Sequence, residues 1–517
     1  PTIYYIISAC QKSGVIPSQC AHWRGNPPVF RTFLLKKWTL SLCLGDCHTS
    51  DIGHWFAMTG ILSRSERRSA ERRSFMMVGF VVRPHPHDGG HQQNGHRHNA
   101  CNGNGVHALL SKAGHFPLHG IMHGVIHTGA GKQREYRHTK VGNSGIFTNP
   151  SHSFGIGGSG MCPLAEILHS KGYTLQGSDN NESSIVERIR KMGIKVMMGQ
   201  KAENIEGAEM VVYSAAISKE NPELKAALES GIPTFQRAEL LGEVSRQFSN
   251  CIGVCGTHGK TTVTSLTVQT MIEAGLDPSA VIGGKLPLTN SYGRVGQTET
   301  IVMESCEYQD TFLKMSPDVA VILNIDEDHL EYFKTMENLI LSFTKFADSA
   351  TKAIIFNGDD ENTLKAIKDI KGKEMISFGF DKKNDYYAEN VEEYKGAFTK
   401  FDVMYKGEKL GSVELSIPGI HNELNALAAI APAIYSGAKF EDCIKGLQEF
   451  KGAGRRFEDL GTYNGIDFID DYAHHPAELK VTLEAAMKMG YNTVWAVFQP
   501  FTYSRTAMHF DEFVDVL

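Results

Sequence analysis

Hydrophobic and polar positions follow no common rule along this 517-residue chain, and the rule changes near residue 150. From about residue 155 onward, short β-branched runs alternate with helical stretches, the signature of stacked parallel α/β units. Ala208 to Ile217, Asn250 to Cys255, Thr300 to Ser305 and Val319 to Ile325 read as strands. Pro163 to Gly172, Glu182 to Met192, Lys260 to Ala274 and His421 to Ser436 read as helices. Before residue 150 neither the 3.6 nor the 2 periodicity lasts more than a few residues, so no fold is expected there.

Charge sharpens the same boundary. Residues 1–150 carry 17 Lys+Arg against 6 Asp+Glu and the remainder 35 against 52, which together give the net charge of −6. The first segment also holds 14 of the 22 His, in tracts such as His85-Pro86-His87-Asp88-Gly89-Gly90-His91, and half of the ten Cys. Overall, 41% apolar and 21% charged residues fit a globular protein of several domains rather than a disordered or fibrous one. No run approaches the roughly 18 apolar residues of a membrane span. The stretch Leu34 to Leu44 is internal and lacks a cleavage site, so it does not read as a secretory signal. Cysteines without compact spacing point to reduced thiols and a cytoplasmic location. A His-rich metal-binding or nucleic-acid-binding role for the first segment would rest on composition alone, and no nucleic-acid partner is expected.

The helix predicted from Lys260 follows a strand directly, through the turn Gly256-Thr257-His258-Gly259-Lys260-Thr261-Thr262. Glycines admit a phosphate close to the backbone, and the N–H groups and helix N-terminus supply positive potential. Lys260 can bridge terminal phosphates and Thr261 can ligate Mg²⁺. A plain strand-to-helix turn would need neither the lysine nor the hydroxyls. The eight-residue phosphate loop would require glycine where Val254 stands, so this is a shorter G-x-x-G-K-T-T variant. Farther on, Met303-Glu304-Ser305-Cys306-Glu307 ends one predicted strand, and Asp326-Glu327-Asp328-His329 follows the next. That is the edge where open α/β sheets bind ligands, and these side chains could hold Mg²⁺. A solvated acidic turn is the plainer account of at least two of the three carboxylates, and a buried, satisfied imidazole the plainer account of His329.

Six collinear segments together resemble the Mur ligase family: Gly256 to Thr262 with Glu304, Asn324 to His329, Pro418 to Ala426, Gly454 to Phe457, Asp470 to Pro476, and Phe498 to Arg505. The resemblance spans about residues 154–517. It implies an α/β fold of three domains: a Rossmann-like UDP-sugar domain (153–248), a central P-loop ATPase domain (249–450) and a Rossmann-like amino-acid domain (451–517). The segment Asp470-Asp471-Tyr472-Ala473-His474-His475-Pro476 looks most like members that join L-alanine to UDP-N-acetylmuramate, consuming ATP with Mg²⁺ through an acyl phosphate. By match to the family, Lys260 contacts phosphates, and Thr261, Glu304 and His329 serve the metal. Gly256, Thr257, His258, Gly259, Thr262, Asn422, Asn425 and Arg456 belong to the nucleotide site. Gly155, Gly157, Gly158, Ser159 and Gly160 meet the UDP diphosphate. Tyr472, His474 and Arg505 lie on the amino-acid side. Asn at a helix start can equally be a cap, and Arg456 can equally be a surface ion pair.

The first glycine loop alone would also fit a dehydrogenase, with Asp179 about 20 residues on as the ribose-binding acid. That reading leaves Lys260, Glu304 and His329 unused. Within the family, a sister ligase that attaches a recycled peptide to the same UDP-sugar shares most of the motifs. Phe501 and Val263 depart mildly from the family pattern. The run Thr148-Asn149-Pro150-Ser151-His152-Ser153 departs more, because proline and polar residues argue against a central strand before the glycine loop. Residues 1–152 are therefore expected to be foreign to the ligase and without stable structure. The third domain is expected to be incomplete, with an unpaired sheet edge beyond Thr493 to Phe498, which would leave a nucleotide-binding protein without turnover. The oligomeric state is left open.

Overall fold

The computed structural model describes residues 151–517 except 216, 464, 501 and 502, together with four strands within residues 2–81. Two compact units are present. Among the described residues no helix is long and apolar enough to cross a membrane.

One unit contains residues 168–243 and the strand and loop just before Cys162. Its sheet has five parallel strands in the order Lys195–Met198, Leu175–Asp179, Ser151–Phe154, Met210–Tyr213 and Thr234–Gln236. The central member is the polar segment expected not to pair. It begins at Ser151, after the proline, so every residue of the ladder keeps its N–H. Its His152 is buried beside Glu223. The nearest carboxylate oxygen lies 3.8 Å from His152 Nε2, and Ser178 and Asn204 donate to the same carboxylate. His152 also meets the Phe154 ring edge-on. The sequence lacks the usual apolar signature here because three of the strand's four buried residues, Ser151, His152 and Ser153, are polar.

The larger unit holds the rest, beginning with a ten-stranded sheet. Its parallel centre runs Ser279–Leu286, Thr300–Glu304, Asn250–Cys255, Val319–Ile322, Ala353–Asn357 and Glu374–Gly379. Asn250–Cys255 pairs on both sides, with Gly253 opposite Met303 and Ala320. The strand is therefore buried on both faces and reads as an apolar run rather than an alternation. One face packs on the helices Lys260–Glu273 and His421–Tyr435 through Leu266, Met271, Leu427 and Ile430. The other packs on Met336–Ser349 around Phe312, Phe343 and Phe346, the first and last of which stack at 4.8 Å. Thr335 starts that helix by accepting the Asn338 N–H, an ordinary threonine cap.

A seven-stranded sheet follows in the same unit, in the order Phe33–Leu35, Trp38–Cys43, Thr2–Ser8, Thr493–Gln499, Phe75–Val81, Ile466–Asp471 and Glu458–Tyr463. Thr493–Gln499 is paired in parallel on both sides, with Thr2–Ser8 and Phe75–Val81. Two expectations are corrected by this: the first 152 residues are not devoid of structure, and the strand near the C-terminus has no open edge. A buried parallel strand needs partners for its N–H and C=O groups on both sides. The runs TIYYIIS and FMMVGFV have the continuous apolar character such partners require, and runs of that kind carry no period to detect. The tract His85 to His91 lies outside the described residues, as does Phe501.

Candidate functional site

The larger unit gathers most of the candidate residues at the C-terminal edge of its parallel strands. Gly256 leaves strand Asn250–Cys255 at φ 143°, and Gly259 starts helix Lys260–Glu273 at φ 88°. Both are left-handed backbone positions that favour glycine. Both are also crowded, since a Cβ on Gly256 would lie 2.8 Å from Leu323 Cβ and one on Gly259 2.8 Å from Asn425 Oδ1. The turn is held from outside by the segment after strand Val319–Ile322. Asn324 accepts the Thr257 and His258 N–H groups and donates its own amide to the His258 carbonyl. Thr257 accepts the Asp326 N–H at 2.9 Å.

Lys260 folds back over this turn. Its Nζ donates to the Gly256 and Thr257 carbonyls and pairs with Glu307 at 3.0 Å. Burial opposes the ammonium charge, but the adjacent Glu307 outweighs it and holds the lysine above its ordinary range. Thr261 donates its hydroxyl to Glu304 at 3.1 Å, and the Gly283 N–H donates to the other Glu304 oxygen at 2.6 Å. Thr262, half-buried, follows in the first helical turn. Arg456 reaches across from the segment after the central domain to within 3.5 Å of Thr261 Oγ1. It is therefore not merely a surface ion pair.

Asn422 and Asn425 open helix His421–Tyr435 without capping it, since Ile420 occupies the cap. Asn422 donates to the Pro418 carbonyl and Asn425 to Asn422 Oδ1. Asn425 thereby faces Gly259, as its closeness to that glycine shows.

His329 takes a left-handed conformation at φ 56°, with the Tyr308 ring 4.7 Å away. Its nearest carboxylates are Glu331 at 3.5 Å, Asp328 at 3.6 Å and Glu307 at 4.0 Å. Thr261 and Glu304 thus touch each other, while His329 sits among a different set of acids. Among the described residues no group of three or more His, Cys, Asp or Glu side chains is arranged to hold a metal ion. The Thr261 hydroxyl and Glu304 carboxylate are nevertheless the hard oxygen donors that Mg²⁺ takes, alongside water and phosphate.

The loop Tyr472–His475 brings in the last domain. Arg455 lies over the Tyr472 ring at 4.4 Å and Arg456 at 5.3 Å, with His474 edge-on to the same ring at 5.1 Å. Burial pushes the His474 imidazole down. Arg505 pairs with Asp328 at 2.8 Å. Burial opposes the Asp328 charge, yet His329 and Arg505 overcome it and hold the acid near 2. His258 meets Glu478 at 3.2 Å and Asp326 at 3.6 Å. Burial opposes its charge too, and the two acids lift the imidazole to about 9.

Sequence reasoning misses Glu478, and it reads Glu307 and Asp328 only as possible Mg²⁺ ligands at the strand ends, not as the partners of Lys260 and Arg505. Glu307 and Asp328 carry no local pattern. Glu478 does, as the third residue of a helix opened by His475-Pro476, where a glutamate reaches back to the cap.

In the other unit, Gly155 turns at φ 64° and donates its N–H to the Ser178 carbonyl. Gly157 donates to Asp179 Oδ2 at 3.0 Å, and a Cβ there would strike Val186 at 2.6 Å. Asp179 therefore braces the loop, where a dinucleotide reading would have it take a ribose. Gly158 and Ser159 lie on the loop's accessible side, and Gly160 passes within 3.1 Å of Arg237, measured from an added Cβ.

Family models match in the same order as these parts: the Mur ligase family catalytic domain at residues 150–249, the Mur ligase middle domain at 254–433, and the Mur ligase glutamate ligase domain at 455–517. UDP-N-acetylmuramate--L-alanine ligase of Acetivibrio thermocellus is 44% identical over 70% of this chain and 78% of its own. The enzyme of the same name from Agathobacter rectalis is 44% identical over 71% and 80%. A crystal structure of UDP-N-acetylmuramate-alanine ligase from Thermotoga maritima superposes with a TM-score of 0.61 at 26% identity, covering 71% of this chain and 89% of that one. A murein peptide ligase from Psychrobacter arcticus gives a TM-score of 0.59 at 26% identity over 68% and 79%. With three consecutive domain matches, relatives at this identity over more than three quarters of their length, and a glycine-lysine turn braced as described, the chain belongs to the Mur ligase family and has its three-domain α/β fold.

Proposed function

We propose that this chain joins L-alanine to UDP-N-acetylmuramate by ATP-dependent amide formation in the cytoplasm, as a step in building peptidoglycan precursors. The observation that carries the reading is the 44% identity to relatives named for that reaction. The assembly of Lys260, Thr261, Glu304 and Arg456 around one phosphate-binding turn supports it. The sugar's lactyl carboxylate attacks the terminal phosphate of ATP, giving an acyl phosphate and ADP. The alanine amine then displaces phosphate to leave the amide. Phosphoryl transfer needs chiefly positioning and charge neutralisation. In this reading Lys260 leaves the loop carbonyls to contact the phosphates, and the Gly256–Lys260 N–H groups cradle them. Thr261 and Glu304 would hold Mg²⁺, with His329 nearby. The metal supplies neutralisation of the charge that develops on the phosphate oxygens. Asn422, Asn425 and His258 complete the nucleotide site. Tyr472, His474 and Arg505 orient the amino acid, and Gly155 to Gly160 receive the UDP diphosphate. The proposed domains are 153–248, 249–450 and 451–517, the last completed by the strands within residues 2–81.

Phosphate release measured with UDP-N-acetylmuramate and Mg-ATP, plus either L-alanine or the tripeptide, tests this directly. Release should require both the UDP-sugar and L-alanine. Release with the tripeptide alone would favour the peptide-recycling ligase, a relative of which shares the fold. Nucleotide binding with no release under either condition would mean a binding protein without turnover.

A further inference from the structure

One carboxylate touches both halves of the proposed chemistry without belonging to either. Glu478 stands in the first turn of helix Pro476–Lys488, with its side chain 18% exposed. Its Oε2 accepts the His474 N–H at 3.0 Å and the His475 N–H at 3.4 Å, and it lies 3.3 Å from His474 Nδ1. Its Oε1 meets His258 Nδ1 at 3.2 Å. His258 is the third residue of the nucleotide turn, and its own N–H is fixed by Asn324 Oδ1 at 2.8 Å. The His258 ring also lies 5.2 Å from that of His475, the residue that starts the Glu478 helix.

We propose that Glu478 is a positioning residue that couples the two sites: it fixes the Tyr472–His475 loop against the His258 side of the nucleotide turn. A displacement of either loop is then transmitted to the other through one side chain. A cap alone would not require this geometry. The two backbone N–H groups occupy Oε2 and leave Oε1 free, and Oε1 is the atom engaged by the other domain. The groups facing the pair are Asp326 and Lys260 on the central domain's side, and His474, His475 and Arg456 on its own. Protonated His258 therefore sits between two acids, and Glu478 answers to two histidines. This proposal rests on the ligase reading above.

The test is a double-mutant cycle of Glu478→Gln and His258→Gln in the full chain, read as KM for L-alanine and KM for ATP. His258 touches no residue assigned to the amino-acid side, so its effect on alanine is the informative one. The expected result is that His258→Gln raises the alanine KM about fivefold or more, the usual range for coupled sites. The double variant should be no worse than the poorer single. His258→Gln also serves as the safeguard if Glu478→Gln destabilises its helix, since His258 caps nothing. An unchanged alanine KM in His258→Gln, with effects that simply multiply in the double variant, would overturn the coupling alone. A parent protein with no alanine-dependent phosphate release would overturn the ligase reading and this proposal with it.

Discussion

The Lys260–Glu307 pair allows a quantitative test of how the nucleotide turn is held. The Glu307 side chain is 2% exposed and that of Lys260 15%, so neither charge is well hydrated. Removing one member of such a pair strands the other, at a cost of about 3 to 5 kcal/mol. Glu307→Leu should fall at the lower end, about 3 kcal/mol, because Lys260 keeps the Gly256 and Thr257 carbonyls. Lys260→Met should fall nearer 5 kcal/mol, because the contact then left to Glu307 is the His329 imidazole at 4.0 Å. Replacing both puts apolar groups of similar size together and should be close to neutral. Native-state amide exchange in strand Asn250–Cys255 measures this locally, which suits a chain of several domains whose bulk unfolding is not two-state. A double variant that loses as much as the two singles combined would refute the view that the pair stabilises the turn as a unit.

Two other expectations can be checked more simply. Because the His258 imidazole is raised from 6.5 to about 9, its stabilising contribution is complete below pH 6.5 and disappears as pH rises through about 9. Denaturation midpoints should therefore decline across that interval in the parent and stay flatter in His258→Gln; parallel curves would contradict the assignment. Gly283→Ala places a Cβ 2.5 Å from Glu304 Oε1. It should displace that carboxylate from Thr261 and cut phosphate release by about tenfold or more, with thermal stability nearly unchanged. Parental turnover would show that the Glu304 position does not matter to the reaction.

The regular part of the fold was legible because its strands and helices follow simple periods. Asn250–Cys255 and His421–Tyr435 appear within a residue of their expected limits. The phosphate turn was equally plain, since its glycines and lysine are consecutive. Ser151–Phe154 was hidden because Ser151, His152 and Ser153 are buried polar residues, which make no apolar pattern. Thr2–Ser8 and Phe75–Val81 were hidden for the opposite reason, being apolar throughout and amid sequence of unusual composition. In the site, Glu307 and Asp328 were legible only as acids at strand ends, because their meaning lies in what they face, Lys260 and Arg505, which only the folded sheet edge brings near.

The lysine that the turn already satisfies has a consequence for product release. Its ammonium has three oxygen partners within the protein, so under the proposed function phosphate binding would exchange one set of contacts for another instead of relieving a bare charge. The net gain on binding is the difference between two similar terms, and it is reduced further by the Glu307 pairing that must be loosened. In the proposed reaction, affinity for the spent nucleotide would thereby be restrained, because the carbonyls of Gly256 and Thr257 and the carboxylate of Glu307 would compete for the lysine. A catalyst that must empty its site in every cycle gains speed from such a built-in competitor, at the expense of tight binding.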